Sequence, residues 1–187
     1  EFLDLPDDYP IYTHHTLWNR NNDRIIFVVR GRKDKNPNVG CVIHADGTGL
    51  GLIDYDGHPE WYEGNLLSLP GESFFKLYNV DTKEVEGRIG EEGMFSSPGG
   101  DNAYSPDGKW YVGSHKATSD TRAYTFYRME DGAHFNSPEI LTRDGGGTTR
   151  IDGAPRWNRA CNAILVGGLD VDGSRQVFVI RMLPGKE

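Results

Sequence analysis

The sequence predicts an all-β chain built of four-stranded antiparallel blades, and three observations carry that expectation. A short phrase recurs four times, in His15-Thr-Leu-Trp18-Asn19, His58-Pro59-Glu-Trp61, Asp101-Asn-Ala-Tyr104-Ser105 and Ala154-Pro155-Arg-Trp157-Asn158, in steps of 43, 43 and 53 residues. Repeats of about 40–45 residues are the period of propeller blades. Gly is abundant at 24 residues, and nine Tyr, eight Phe and four Trp supply bulky core material, a balance that favours many short strands joined by tight turns. No run of a dozen residues keeps a 3.6-residue period free of Gly or Pro, so no helix is expected.

Each repeat parses in order into short strands. In the first they are His15–Trp18, the β-branched run Arg24–Val29, Gly40–His44 and Leu50–Ile53, with a charged loop over 31–38. The second places them at His58–Trp61, Asn65–Leu69, Phe74–Asn79 and Val85–Ile89. The third has Asp101–Tyr104, Lys109–Ser114, Arg122–Met129 and Pro138–Leu141, divided by Asp107-Gly108 and Asp131-Gly132. Asp-Gly between apolar runs is a hairpin signal, because both residues tolerate the left-handed backbone such turns need. The fourth has Ala154–Trp157, Ala163–Gly167 and Gln176–Met182, and lacks its outermost strand. The expectation is one β-propeller domain or segment over 1–187, with blades at 11–53, 54–90, 95–142 and 150–183. Either Glu1–Leu5 closes the last blade, or the four blades form part of a larger ring, which is the favoured reading. Trp18, Trp61, Tyr104 and Trp157 are expected as inter-blade core.

Composition narrows the function classes. Hydrophobic residues make up 36%, below the usual share of about 45–50% that also counts Gly. The net charge of −8 gives no global pull toward nucleic acid. No stretch approaches the ~20 apolar residues of a membrane span. Cys41 and Cys161 match no zinc spacing and are expected as two buried free thiols. The chain opens Glu1-Phe2 without Met, as a trimmed, processed or excised chain would. Gly145-Gly146-Gly147 lacks the Lys-Ser/Thr ending of a phosphate loop.

Blade topology sorts the polar residues. The loop entering strand one and the loop joining strands two and three open on one face of a propeller. That face therefore collects His14, His15, His58, Asp101 and Ala154 with Arg30, Arg32, His115, Lys116, Arg122 and Arg175. His15, His58 and Asp101 occupy equivalent positions, and two imidazoles with a carboxylate suit a divalent ion; the same positions also suit structural hydrogen bonds to the neighbouring blade. Arg32, Arg122 and Arg175 are candidate grips for a carboxylated sugar, since guanidinium pairs with carboxylate in two parallel hydrogen bonds. His115 and Lys116 are candidate proton acceptors. His44 and His134 are assigned no role.

The stretch Asp-Asn-Ala-Tyr-Ser-Pro-Asp-Gly-Lys-Trp-Tyr-Val-Gly over 101–113, with Ala154–Met182 and its Ser174-Arg175-Gln176-Val177-Phe178-Val179, resembles the blades of TolB-type proteins and of the oligogalacturonate lyase family. The likeness runs through nearly the whole chain. It implies a seven-bladed relative with a manganese held mostly by histidines, and a periplasmic or extracellular setting. Ala154 stands where that family often has His, and Asp101 also departs from the pattern. The function implied is action on, or binding of, a uronate-containing oligosaccharide by metal-assisted β-elimination. The alternative is a non-catalytic propeller scaffold holding a glycan or a partner protein. A part cut from a larger hydrolase is less favoured, since no Gly-x-Ser-x-Gly motif is present.

Overall fold

The computed structural model describes residues 8–32, 37–53, 57–95, 100–142 and 151–183. The suggested closing strand Glu1–Leu5 and the Gly145–Gly147 stretch lie outside them. Every element among the described residues is a β-strand. The first sheet runs β1(Ile11–Trp18), β2(Arg24–Gly31), β3(Asn38–His44), β4(Gly51–Ile53), and the second β5(Glu60–Trp61), β6(Leu66–Pro70), β7(Phe75–Asn79), β8(Val85–Ile89), each in sequential order. The third orders β9(Asn102–Tyr104), β10(Trp110–Lys116), β11(Thr121–Arg128) and β12(His134–Asn136), with β13(Ile140–Leu141) pairing the far end of β11. The fourth has three described strands, β14(Arg156–Trp157), β15(Ala163–Leu169) and β16(Arg175–Arg181). The pairings that join consecutive strands are antiparallel hairpins.

Register makes the repeats equivalent residue by residue. Trp18 pairs with Ile25, Trp61 with Leu67, Tyr104 with Tyr111 and Trp157 with Ile164. Because side chains alternate across a strand, these pairs lie on one face of each sheet, the rear face, and the next residue along lies on the forward face. The turn between the two strands repeats as well. Asn19, Ser105 and Asn158 each send the backbone N–H to a carbonyl five residues on, and their side-chain oxygens accept N–H groups from the turn's far side. Asn22, Gly108 and Cys161 hold the same left-handed position, with φ of 57°, 72° and 55°. Cys161 is therefore a half-buried turn residue, not the buried thiol expected; Cys41 is buried, and both are free. The second sheet has a turn one residue shorter, with Tyr62 N–H reaching the Leu66 carbonyl.

The chain divides into two compact units, 1–69 with 77–87 and 70–76 with 88–187. In the first, Leu17, Ile26 and Val42 on the forward face of the first sheet pack against Trp61, Leu67 and Tyr78. The Trp61 indole donates to the Leu17 carbonyl at 3.1 Å. In the second, Ala103, Val112, Tyr124 and Phe126 on the forward face of the third sheet pack against Ile164, Val166, Trp157, Phe178 and Ile180 of the fourth. The Trp157 indole donates to the Ala103 carbonyl at 3.2 Å, the same bond one repeat pair later. Phe75, Phe95, Tyr104 and Tyr111 form an edge-to-face aromatic cluster behind the third sheet. Trp18 departs from the expected core: its rear face has no described sheet behind it, and the ring is 53% exposed.

Candidate functional site

In the first unit the histidines cluster because β1 is irregular. Its pairing with β2 slips between His14 and Leu17, and His15 takes a left-handed φ of 55°, uncommon for a residue with a Cβ. A regular strand would send His14 and His15 to opposite faces. Instead their rings stand 6.5 Å apart, and His15 lies 5.7 Å from His58. His15 Nε2 hydrogen-bonds the Pro59 carbonyl at 3.2 Å, which ties the first sheet to the second. The Nε2 atom of His14 is buried and has no hydrogen-bond partner. Burial, then the charges of Arg30, His15 and His58, hold the His14 imidazole below its ordinary pKa. Arg30 itself donates to Asn38 at 2.8 Å. Arg32 is exposed at the end of β2.

In the second unit Asp101, Ser114, Tyr124 and Arg122 gather around the backbone that enters the fourth sheet. Asp101 Oδ2 accepts the Ala154 N–H at 3.1 Å, and the Tyr124 hydroxyl donates to the Gly153 carbonyl at 2.9 Å. Burial pushes that phenol up to about 12, with Arg122 pulling the other way. Gly153 permits the close approach: a Cβ there would lie 2.7 Å from Ser114 Oγ and 2.8 Å from Arg122 Cδ. Arg122 donates from Nη1 to Ser114 Oγ at 3.3 Å, its Nε is buried without a partner, and among the described residues it makes no ion pair with a carboxylate.

The register separates the two expected proton acceptors. Lys116 pairs with Arg122 and shares its face; His115 pairs with Ala123 and faces the other way, its Nδ1 3.4 Å from Thr125 Oγ1. Burial, then Arg122, lowers the His115 pKa, so the imidazole is neutral at neutral pH. Arg175 stands apart from this group, lining an open pocket of about 260 Å³ with Ile151, Asp152, Gly167, Gly168 and Gln176. Ser114 and Tyr124 were not expected as site residues; their signal in the sequence is their proximity to Arg122 along β10 and β11.

The metal triad fares differently. His15 and His58 are neighbours in one unit, whereas Asp101 belongs to the other and is taken up by Ala154. Among the described residues no three His, Cys, Asp or Glu side chains converge as a metal would need. The donors are of the right chemistry, but their arrangement does not fit a resident ion.

No family model matches the chain, and no curated protein matches it. Solved structures do. An oligogalacturonate lyase in complex with manganese superposes with a TM-score of 0.64 at 18% identity, over 92% of this chain and 49% of that one. TolB from Acinetobacter baumannii superposes with a TM-score of 0.58 at 13% identity, over 95% of this chain and 42% of that one. The fold is a β-propeller. At these identities the likeness speaks to fold alone. This propeller chain spans about half the length of the structures it matches, and its four sheets are blades of their kind. Among the described residues no helix is long and apolar enough to cross a membrane.

Proposed function

We propose that this propeller is carbohydrate-related and acts on, or binds, an oligosaccharide containing uronate units. The observation that carries the reading is Arg122, a guanidinium with a buried unpartnered Nε and no ion-paired carboxylate among the described residues, held beside Ser114 at the end of the third blade. Arginine left without an acidic partner is suited to a carboxylate brought by a ligand. The fold shared with a lyase that acts on oligogalacturonate supports the same substrate class.

In this reading Arg122 neutralises the sugar carboxylate and acidifies the proton α to it. Lys116, the candidate acceptor that shares the Arg122 face, takes that proton, whereas His115 faces the other side of the sheet. The electron pair forms the ring C=C bond, the 4-linked glycosidic C–O bond breaks, and the leaving oxygen is protonated from solvent. Arg32 and Arg175 would contact further carboxylates along a longer substrate. His15, His58 and Asp101 are the side chains of the type that hold manganese. The hydrogen bonds of His15 and Asp101 to the next blade do not fit that role as they stand, so no step runs through a metal. Those bonds, and Ala154 at the fourth equivalent position, favour a second reading in which the same residues bind a glycan without turnover.

The test is ultraviolet absorbance of the unsaturated product from oligogalacturonate, with manganese present, together with calorimetric binding. Turnover that falls about 10²-fold in Arg122→Ala supports the lyase. Binding lost in Arg122→Ala without turnover supports the binding propeller. No turnover and no binding across polyuronates overturns both.

A further inference from the structure

One peptide group at the entry to the fourth blade has both of its polar ends held by the third. The Gly153 carbonyl accepts the Tyr124 hydroxyl at 2.9 Å, and the Ala154 N–H, across the same peptide bond, donates to Asp101 Oδ2 at 3.1 Å. Both anchors are themselves fixed. Tyr124 is fully buried among the side chains packed between the third and fourth sheets, so its ring has no room to follow the backbone. Asp101 is tied through its own carbonyl, which accepts the Ser114 N–H of β10 at 2.8 Å. A peptide group is planar, so holding its two ends fixes the Cα atoms on either side.

What that peptide group holds in place lies against Arg122. A Cβ at Gly153 would stand 2.7 Å from Ser114 Oγ, 2.9 Å from Ser114 Cβ and 2.8 Å from Arg122 Cδ, so the backbone there fills the notch between the two side chains. Little else orients the guanidinium. Its bond from Nη1 to Ser114 Oγ is long at 3.3 Å, and among the described residues no carboxylate pairs with it. A flexible side chain used to meet a ligand must have its freedom removed beforehand, and here the Gly153 backbone does so.

The propeller repeat does not demand this polar set. Register places Val28, Gly40 and Asn38 of the first blade where the third has Ser114, Tyr124 and Arg122, while Ile26 and Val42 match the core pair Val112 and Phe126. The apolar positions repeat because packing needs them; the hydroxyl and the guanidinium are additions of the third blade. We propose that Tyr124 and Asp101 are positioning residues, which hold the 153–154 peptide group between them and so seat Gly153 against the Arg122 stem, a role that rests on reading Arg122 as the group that meets a ligand's carboxylate. Asp101 then serves the site through the backbone of the next blade, without touching the ligand.

Nuclear magnetic resonance of the Arg122 Nε–H tests this without a substrate. That group is buried, so its proton is shielded from water, and its resonance is identified by its loss in Arg122→Lys. Tyr124→Phe and Asp101→Ala should each shift the resonance and speed its exchange with water, and each should weaken calorimetric binding of oligogalacturonate about 10–100-fold, as misplacing a contact group by about 1 Å does. Asp101→Asn keeps an oxygen for the Ala154 N–H and should leave the resonance where the parent has it. Gly153→Ala, which displaces Arg122 directly, should shift it with both anchors in place. Near-UV circular dichroism verifies that each variant folds. An Arg122 resonance unchanged in both Tyr124→Phe and Asp101→Ala overturns the proposal. So does Asp101→Asn shifting it as far as Asp101→Ala, which would mean that the carboxylate acts by its charge and not through the peptide group. A resonance that moves as expected in a chain that binds no polyuronate upholds the positioning role and counts against the uronate reading alone.

Discussion

At the scale of residues, the chemistry depends on where burial leaves a charge or a lone pair unmatched. His115 and Arg122 lie close enough for the guanidinium to disfavour a second positive charge, and burial acts in the same direction. The folded pKa of His115 is therefore below that of the unfolded chain. Between the two values the unfolded state binds more protons, so stability falls as pH drops from the unfolded value, near 6.5, toward the lowered folded value. Below both values the loss is complete and constant. Replacing His115 with Gln should flatten that part of the stability-versus-pH curve, measured by urea unfolding at successive pH values. Arg122→Ala should raise the His115 pKa, read from the imidazole proton shift by NMR. An imidazole pKa that stays put in Arg122→Ala would mean that the guanidinium does not act on it, and burial alone would hold the imidazole neutral.

At the scale of elements, the blade-to-blade bond of the signature tryptophan separates two residues that look alike in the sequence. Trp61 is buried and donates to Leu17, whereas Trp18 sits on a face with nothing described behind it. Trp61→Phe should cost about 1–3 kcal/mol, combining a lost hydrogen bond with a partly filled cavity. Trp18→Phe should stay within about 0.5 kcal/mol in dilute solution, as exposed substitutions do. Chemical denaturation of the two variants side by side makes the comparison, and equal losses would contradict the packing described. The hairpins of the third blade were legible because Asp107-Gly108 and Asp131-Gly132 fall between apolar runs, whereas the equivalent step at Cys161, held left-handed by a residue with a Cβ, carries no such signal. Other features were not legible. Periodicity places residues on a face but cannot say whether another sheet covers it, so Trp18 reads as core. The slip in β1 depends on His15 adopting a backbone that propensity disfavours, and alternation alone would have parted His14 from His15. The outer edge of the third blade reads as one strand over 138–141, yet forms β12 at 134–136 and the separate short β13, because each pairs with a different part of β11.

At the scale of the whole molecule, each of the two compact units holds a core of its own: Trp61, Leu67 and Tyr78 with Ile26 and Val42 in one, and Tyr124 and Phe126 with Ile164 and Val166 in the other. Leu67 and Ile164 are fully buried in separate clusters and share no partner there. Leu67→Ala should cost about 2–5 kcal/mol and Ile164→Val about 0.5–1.5 kcal/mol. Substitutions at sites without shared partners add to within about 0.5 kcal/mol, so the double variant should lose the sum of the two. Urea unfolding of the single and double variants measures this. A coupling larger than that would mean that the two cores do not pack independently, and the division into two clusters would have to be given up.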